Sequence, residues 1–125
     1  MKFTLGEVLK ANGYNYNNVP ANVKENLKDL IDRINKIGYP KPAYVSSGYR
    51  DPEHNACVGG AKNSYHCQGK AIDIKDPGNK IKAFIMANQG ILKELGLRME
   101  RPEDTNGWCH LDSGKVIWNR IFRAK

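Results

Sequence analysis

An α+β fold, an antiparallel sheet of about four strands with helices packed on one face and a cleft on the other, is predicted by three features of this chain. Helical periodicity is strongest over residues 22–37, where Val23, Leu27, Leu30, Ile31, Ile34 and Ile37 recur on one face. Residues 71–74, 97–100 and 107–112 instead alternate between polar and apolar side chains, the pattern of half-buried strands. The last two are separated only by residues 101–106, a hairpin-length connection that predicts antiparallel pairing.

The elements follow in order. Thr4 and Glu7 have the spacing of a capping box and open a short helix through about residue 11, with Phe3 placed to pack against it. Residues 13–20 read as an Asn- and Tyr-containing loop. Asn22 is the expected cap of the long core helix, which Gly38 and then Pro40 close. Residues 43–47 form a short strand, and Asp51 followed by Pro52 starts a brief helix. Residues 58–63 are a Gly-rich approach with no nucleotide-loop pattern, because no Gly-Lys-Ser/Thr follows. After the 71–74 strand, residues 76–79 turn, Asn79 is the expected cap of a helix carrying Ile81, Phe84 and Ile85, and a further helical turn stops at Gly96. Residues 116–122 add a final edge strand or a packed tail.

Chemistry concentrates in residues 64–74, Ser-Tyr-His-Cys-Gln-Gly-Lys-Ala-Ile-Asp-Ile. Gly69 allows a sharp change of direction, and the alternation after it turns Asp73 away from Ile72 and Ile74. In residues 107–112, Gly-Trp-Cys-His-Leu-Asp, parity puts Trp108, His110 and Asp112 on one face and Cys109 and Leu111 on the other. If the two strands are neighbours, His66, Asp73 and His110 meet. Two His and one carboxylate form an open zinc site, since three protein ligands leave the fourth tetrahedral position to water. Cys67 and Cys109 each adjoin a proposed ligand and raise a rival thiolate site, but the neighbour of a strand ligand points to the opposite face.

Composition sets limits around this site. At 125 residues the chain is read as a single domain over 1–125 that buries roughly two-thirds of its unfolded surface and needs no disulfide. Three Cys, an odd number, do not form a secreted disulfide framework, and Cys57, Cys67 and Cys109 are expected reduced. The formal net charge of +7 favours anionic partners, yet the basic residues are scattered without interleaved aromatics, so no nucleic-acid footprint is assigned. The first residues hold no apolar run of signal-peptide or membrane-span length.

Ser47-Gly-Tyr-Arg-Asp-Pro52, Asn55, Val58-Gly-Gly-Ala61, the 64–74 motif and Trp108-Cys-His-Leu-Asp112 together resemble the zinc D-alanyl-D-alanine carboxypeptidases and endopeptidases. That cell-wall family includes the vancomycin-resistance dipeptidases and shares its fold with hedgehog signalling domains. Phe3-Thr-Leu-Gly-Glu7 and Glu25-Asn-Leu27 look like its phage and prophage branch. The resemblance implies a hedgehog/DD-peptidase-like fold with the zinc cleft on the open sheet face and Zn2+ ligands at His66, Asp73 and His110. It also implies a substrate-contacting arginine at Arg50. Ser64 is a candidate to orient His66 or the substrate, or to cap its own loop.

Many members of that family place an acidic residue three positions before the second His ligand, where this chain has Gly107. Some phage relatives carry a Glu at the end of the preceding strand, the place of Glu100. Glu100 and Asp112 are therefore the candidate general bases, with Asp104 and Glu103 in the intervening turn as further acidic groups. The implied activity is hydrolysis of peptide bonds in peptidoglycan stem peptides or cross-links. The expected protein is a monomer made in the cytoplasm that reaches the wall after release or as a phage or virion component. The alternatives are a zinc-bearing hedgehog-like module without turnover and a small basic nucleic-acid binder.

Overall fold

The computed structural model describes residues 1–53 and 64–123. Its centre is a sheet in the order β1-β2-β4-β3-β5, formed by Val45–Ser47 (β1), Ala71–Lys75 (β2), Arg98–Glu100 (β3), Trp108–Asp112 (β4) and Ile121–Phe122 (β5). The first four pair antiparallel, and β5 joins the outer edge of β3 in parallel. The α+β class and antiparallel core are as the sequence predicts; the strand count is one higher because residues 116–122 supply a paired edge strand.

The helices are α1 (Leu5–Lys10), α2 (Ala21–Asn35), α3 (Lys80–Ala87) and α4 (Gly90–Leu95). Thr4 caps α1 by accepting the Glu7 N–H at 3.2 Å, and buried Phe3 is fastened by its own N–H to Asn35 Oδ1 of α2 at 2.8 Å. In α2 the apolar stripe Val23, Leu27, Leu30, Ile31 and Ile34 is buried, and it packs in one core with Ile72, Ile74, Cys109 and Leu111 of the two central strands. Burying a side chain of this kind contributes about 1.5–3 kcal/mol, so this face holds the sheet's closed side. The opposite side is left for Asp73 and His110.

Two caps differ from the sequence expectation. α2 starts two residues earlier, at Ala21 after Pro20, whose fixed φ suits the entry, so Asn22 lies inside the helix. Asn79 has a left-handed backbone (φ 57°) and makes no side-chain cap. Instead the buried Asp76 carboxylate accepts the N–H groups of Ile81 at 2.8 Å and Lys82 at 3.0 Å, placing a negative charge at the positive end of α3. Pro52 and Glu53 are helical as predicted, while Asn55, Cys57 and residues 58–63 lie outside the described residues. Among the described residues no helix is long and apolar enough to cross a membrane.

Candidate metal centre

The register of β2 against β4 decides what meets on the open sheet face. Ile72 opposes Leu111 and Ile74 opposes Cys109 on the buried side, so Asp73 stands directly across from His110 on the other. His66 arrives from the 3-10 turn Tyr65–Gln68, which Ser64 caps by accepting the His66 N–H at 3.1 Å. That turn is closed by Gly69 with φ 72°, and a Cβ there would stand 2.6 Å from the Val23 carbonyl oxygen of α2. Both constraints call for glycine. A tight glycine turn thus delivers His66 onto the end of β2.

One donor atom from each of His66, Asp73 and His110 lies within 4.8 Å of the other two. His66 Nε2 is 3.2 Å from Asp73 Oδ2, and His110 Nδ1 is 2.7 Å from Asp73 Oδ1. Each imidazole is committed at its other nitrogen. His66 Nδ1 lies 2.7 Å from the Gly48 carbonyl, an acceptor only, so Nδ1 donates there and Nε2 is the nitrogen left facing Asp73. Gly48 is itself held by its N–H donating to Asn12 Oδ1 at 2.6 Å. His110 Nε2 lies 2.9 Å from Asp112 Oδ2, which reserves Nδ1 for the side of Asp73.

Electrostatics bind the group together. Burial works to raise the Asp73 carboxyl, but hydrogen bonds from His110 and His66 outweigh it and hold Asp73 well below the ordinary carboxylate range. Burial works to lower His110, and the Asp112 and Asp73 carboxylates outweigh it and raise the imidazole above its usual value. Asp112 is fully buried; burial opposes its charge, and His110 and Arg98 reverse that and lower its pKa. Arg98 reaches it as a fork, Nε to Oδ1 at 2.7 Å and Nη2 to Oδ2 at 2.9 Å.

The donor set fits zinc: two imidazole nitrogens and one carboxylate oxygen converge, and the outward nitrogens donate to a carbonyl and a carboxylate, as metal-bound histidines commonly do. Among the described residues no Cys belongs to this group. Cys109 is buried on the opposite sheet face, where burial drives its thiol far above its normal pKa, and Cys67 is raised by burial as well.

His110 and Asp112 also line a cleft of about 990 Å³. Its walls include Ser64, Tyr65, Glu100, Trp118 and Phe122. Glu100 ends β3, half-buried, and burial raises its carboxyl above the ordinary range. Asp104 is instead gripped by Arg101, Nε to Oδ2 at 2.8 Å, and Glu103 is exposed. Arg50 donates its backbone N–H to the His66 carbonyl at 3.2 Å, and its buried Nε has no hydrogen-bond partner among the described residues.

Sequence reasoning did not single out Gly48, Asn12 or Arg98. For Arg98 a signal exists: strand parity places it on the Glu100 face, and the hairpin register sets it opposite Asp112. No such signal marks Gly48, because a backbone carbonyl has no side-chain identity to read.

No curated protein matches the chain. Residues 1–112 match the family model described as Peptidase M15, a zinc-dependent family, and over that span the chain belongs to the M15 peptidases.

Proposed function

We propose that this peptidase uses zinc held by His66, Asp73 and His110 to hydrolyse peptide bonds in peptidoglycan stem peptides or cross-links, as carboxypeptidase or endopeptidase. The observation that carries the reading is the pairing of convergent donors with committed outward nitrogens: with His66 anchored on Gly48 and His110 on Asp112, each ring turns its remaining nitrogen toward the same point. Zinc bound there supplies an acidified water, with pKa lowered to about 7, and polarises the scissile carbonyl.

The chain's own groups do the rest. Glu100 lines the cleft beside His110, and a carboxyl raised by burial suits a group that takes a proton from the attacking water and returns it to the leaving amine. Asp112 has its oxygens occupied by Arg98 and His110, which suits orienting the imidazole better than shuttling a proton. Arg50, with a buried Nε free of hydrogen bonds among the described residues, is the group to hold a substrate carboxylate or the developing oxyanion. Ser64 fixes the turn that carries His66.

Substrate lies at the bacterial wall, reached after release from the cell or as part of a virion, and the protein acts as a monomer on peptide without nucleic acid. The test is digestion of purified peptidoglycan by zinc-loaded protein with mass spectrometry of the muropeptides. Loss of a terminal D-Ala or of a cross-link is expected. Zinc uptake without any change in muropeptides would favour a binding module, and absence of zinc uptake would remove the metal from the reading.

A further inference from the structure

The segment after Asp112 lies beyond the family match yet folds back onto the metal centre. Gly114 donates its N–H to Asp112 Oδ1 at 2.9 Å. A Cβ on Gly114 would stand 2.4 Å from Tyr65 Cε2, so the missing side chain is what lets the Tyr65 ring sit there. Further along, β5 runs parallel to β3 with Phe122 opposite Glu100, fastened by Met99 N–H to the Arg120 carbonyl at 2.7 Å and Arg101 N–H to the Phe122 carbonyl at 2.8 Å. This brings the Phe122 ring over the Arg98 guanidinium, Cζ 4.1 Å from its centroid, with the Tyr65 centroid at 5.3 Å. The same Phe122 ring meets the His110 ring edge-on at 5.7 Å.

We propose that Arg98, flanked by the Phe122 and Tyr65 rings, is a positioning residue that locks Asp112 and through it presents His110 Nδ1 to the metal, so that residues 113–123 are a working part of the centre. The inference rests on the reading of His66, Asp73 and His110 as zinc ligands. A carboxylate has about four acceptor sites, and Asp112 fills them with two N–H groups of Arg98, one of Gly114 and one of His110. It therefore has no spare lone pair with which to rotate to another partner. Only a planar fork engages both oxygens at once, which an ammonium cannot do, and rings beside its face keep a guanidinium in plane. The order of dependence runs from Phe122 and Tyr65 to Arg98, then Asp112, then His110.

The test uses the full chain with Arg98→Lys, Gly114→Ala and Phe122→Leu. Zinc affinity is read by competition with a chromophoric chelator, the His110 ring by nitrogen-15 NMR of the zinc-loaded protein, and folding by thermal unfolding without metal. Wild type should show His110 with Nε2 protonated. Arg98→Lys should bind zinc about 10- to 100-fold more weakly. Phe122→Leu, which stays apolar at a half-buried position and so keeps the fold, should weaken zinc binding and alter the His110 Nε2–H signal. Unchanged zinc affinity with unchanged His110 signals in Phe122→Leu and in any folded Arg98→Lys or Gly114→Ala would overturn the proposal, as would a fall in unfolding temperature with no change at His110. A wild type that takes up no zinc would remove the metal reading itself, a different failure from variants that bind as wild type does.

Discussion

Asp73 and His110 face each other directly across β2 and β4, with His110 Nδ1 2.7 Å from Asp73 Oδ1, while Asp73 Oδ2 lies 3.2 Å from His66 Nε2. One carboxylate therefore joins two imidazoles that come from a turn and from a strand. Asp73→Ala removes the shared anion and leaves an incomplete donor set, because two imidazoles alone give zinc too few ligands. Zinc content measured by elemental analysis should fall from one per chain to near none, and peptidase activity with it. Full occupancy and full turnover in Asp73→Ala would refute the ligand assignment.

The thiols should be irrelevant to the metal. Cys109 sits on the core face of β4, opposite the His110 face, and burial raises both it and Cys67 away from the reactive thiolate. Native protein should therefore react slowly with a thiol reagent at Cys67 and Cys109. Cys67→Ser combined with Cys109→Ala should still bind zinc; a folded double variant unable to do so would bring a sulfur ligand back into the site.

The meeting of Asp73 and His110 was legible from sequence because period-two alternation and a buried inner face leave little choice of register. With Ile72, Ile74, Cys109 and Leu111 required inside, Asp73 and His110 must both emerge on the far side. The edge strand was legible only as an alternative, since two residues of β5 carry too little periodicity to decide. Partner choice was not legible either. Asn79 caps as well as Asp by type and stands directly before α3, yet Asp76 lies behind the N-terminus of α3 and takes its N–H groups, while Asn79 Oδ1 turns to Gly107 N–H at 2.9 Å and to Lys82. Such competition among adjacent polar groups depends on position and desolvation, which spacing along the chain does not encode.

Lys82 shows how much rests on one such choice. It is only 1% exposed, its ammonium lies 3.7 Å from Asp76 Oδ2, and it donates to Asn79 and to the carbonyls of Thr105 and Trp108. It thereby ties the start of α3 to the loop that leads into β4. Lys82→Met leaves a buried carboxylate without its counter-ion and removes the ammonium donor from the Thr105 and Trp108 carbonyls, at a cost of about 3–5 kcal/mol. Urea unfolding checks the magnitude; a loss below about 1 kcal/mol, the size of an exposed pair, would mean that water enters the site in place of the ammonium.

The general base is the remaining assignment, and the two candidate carboxylates occupy different environments. Asp112 is fully buried and spends its oxygens on Arg98, Gly114 and His110, and its pKa is lowered, so it has little capacity to pick up a proton. Glu100 is half-buried on the cleft wall, and burial raises its pKa, which moves it toward the operating range of a base at neutral pH. The β3–β4 register pairs Arg98 with Asp112 and Met99 with Leu111, and the next residue of β3, Glu100, shares the cleft with His110 and feels its charge. Glu100→Gln keeps shape and zinc but removes the basic oxygen, so kcat should fall by about 10²- to 10⁴-fold at unchanged metal content. Asp112→Asn should act differently: zinc affinity should weaken as His110 loses its anchoring acceptor, by about 10- to 100-fold, and turnover should recover when zinc is added in excess. Saturating zinc that restores Glu100→Gln but not Asp112→Asn would exchange the two roles.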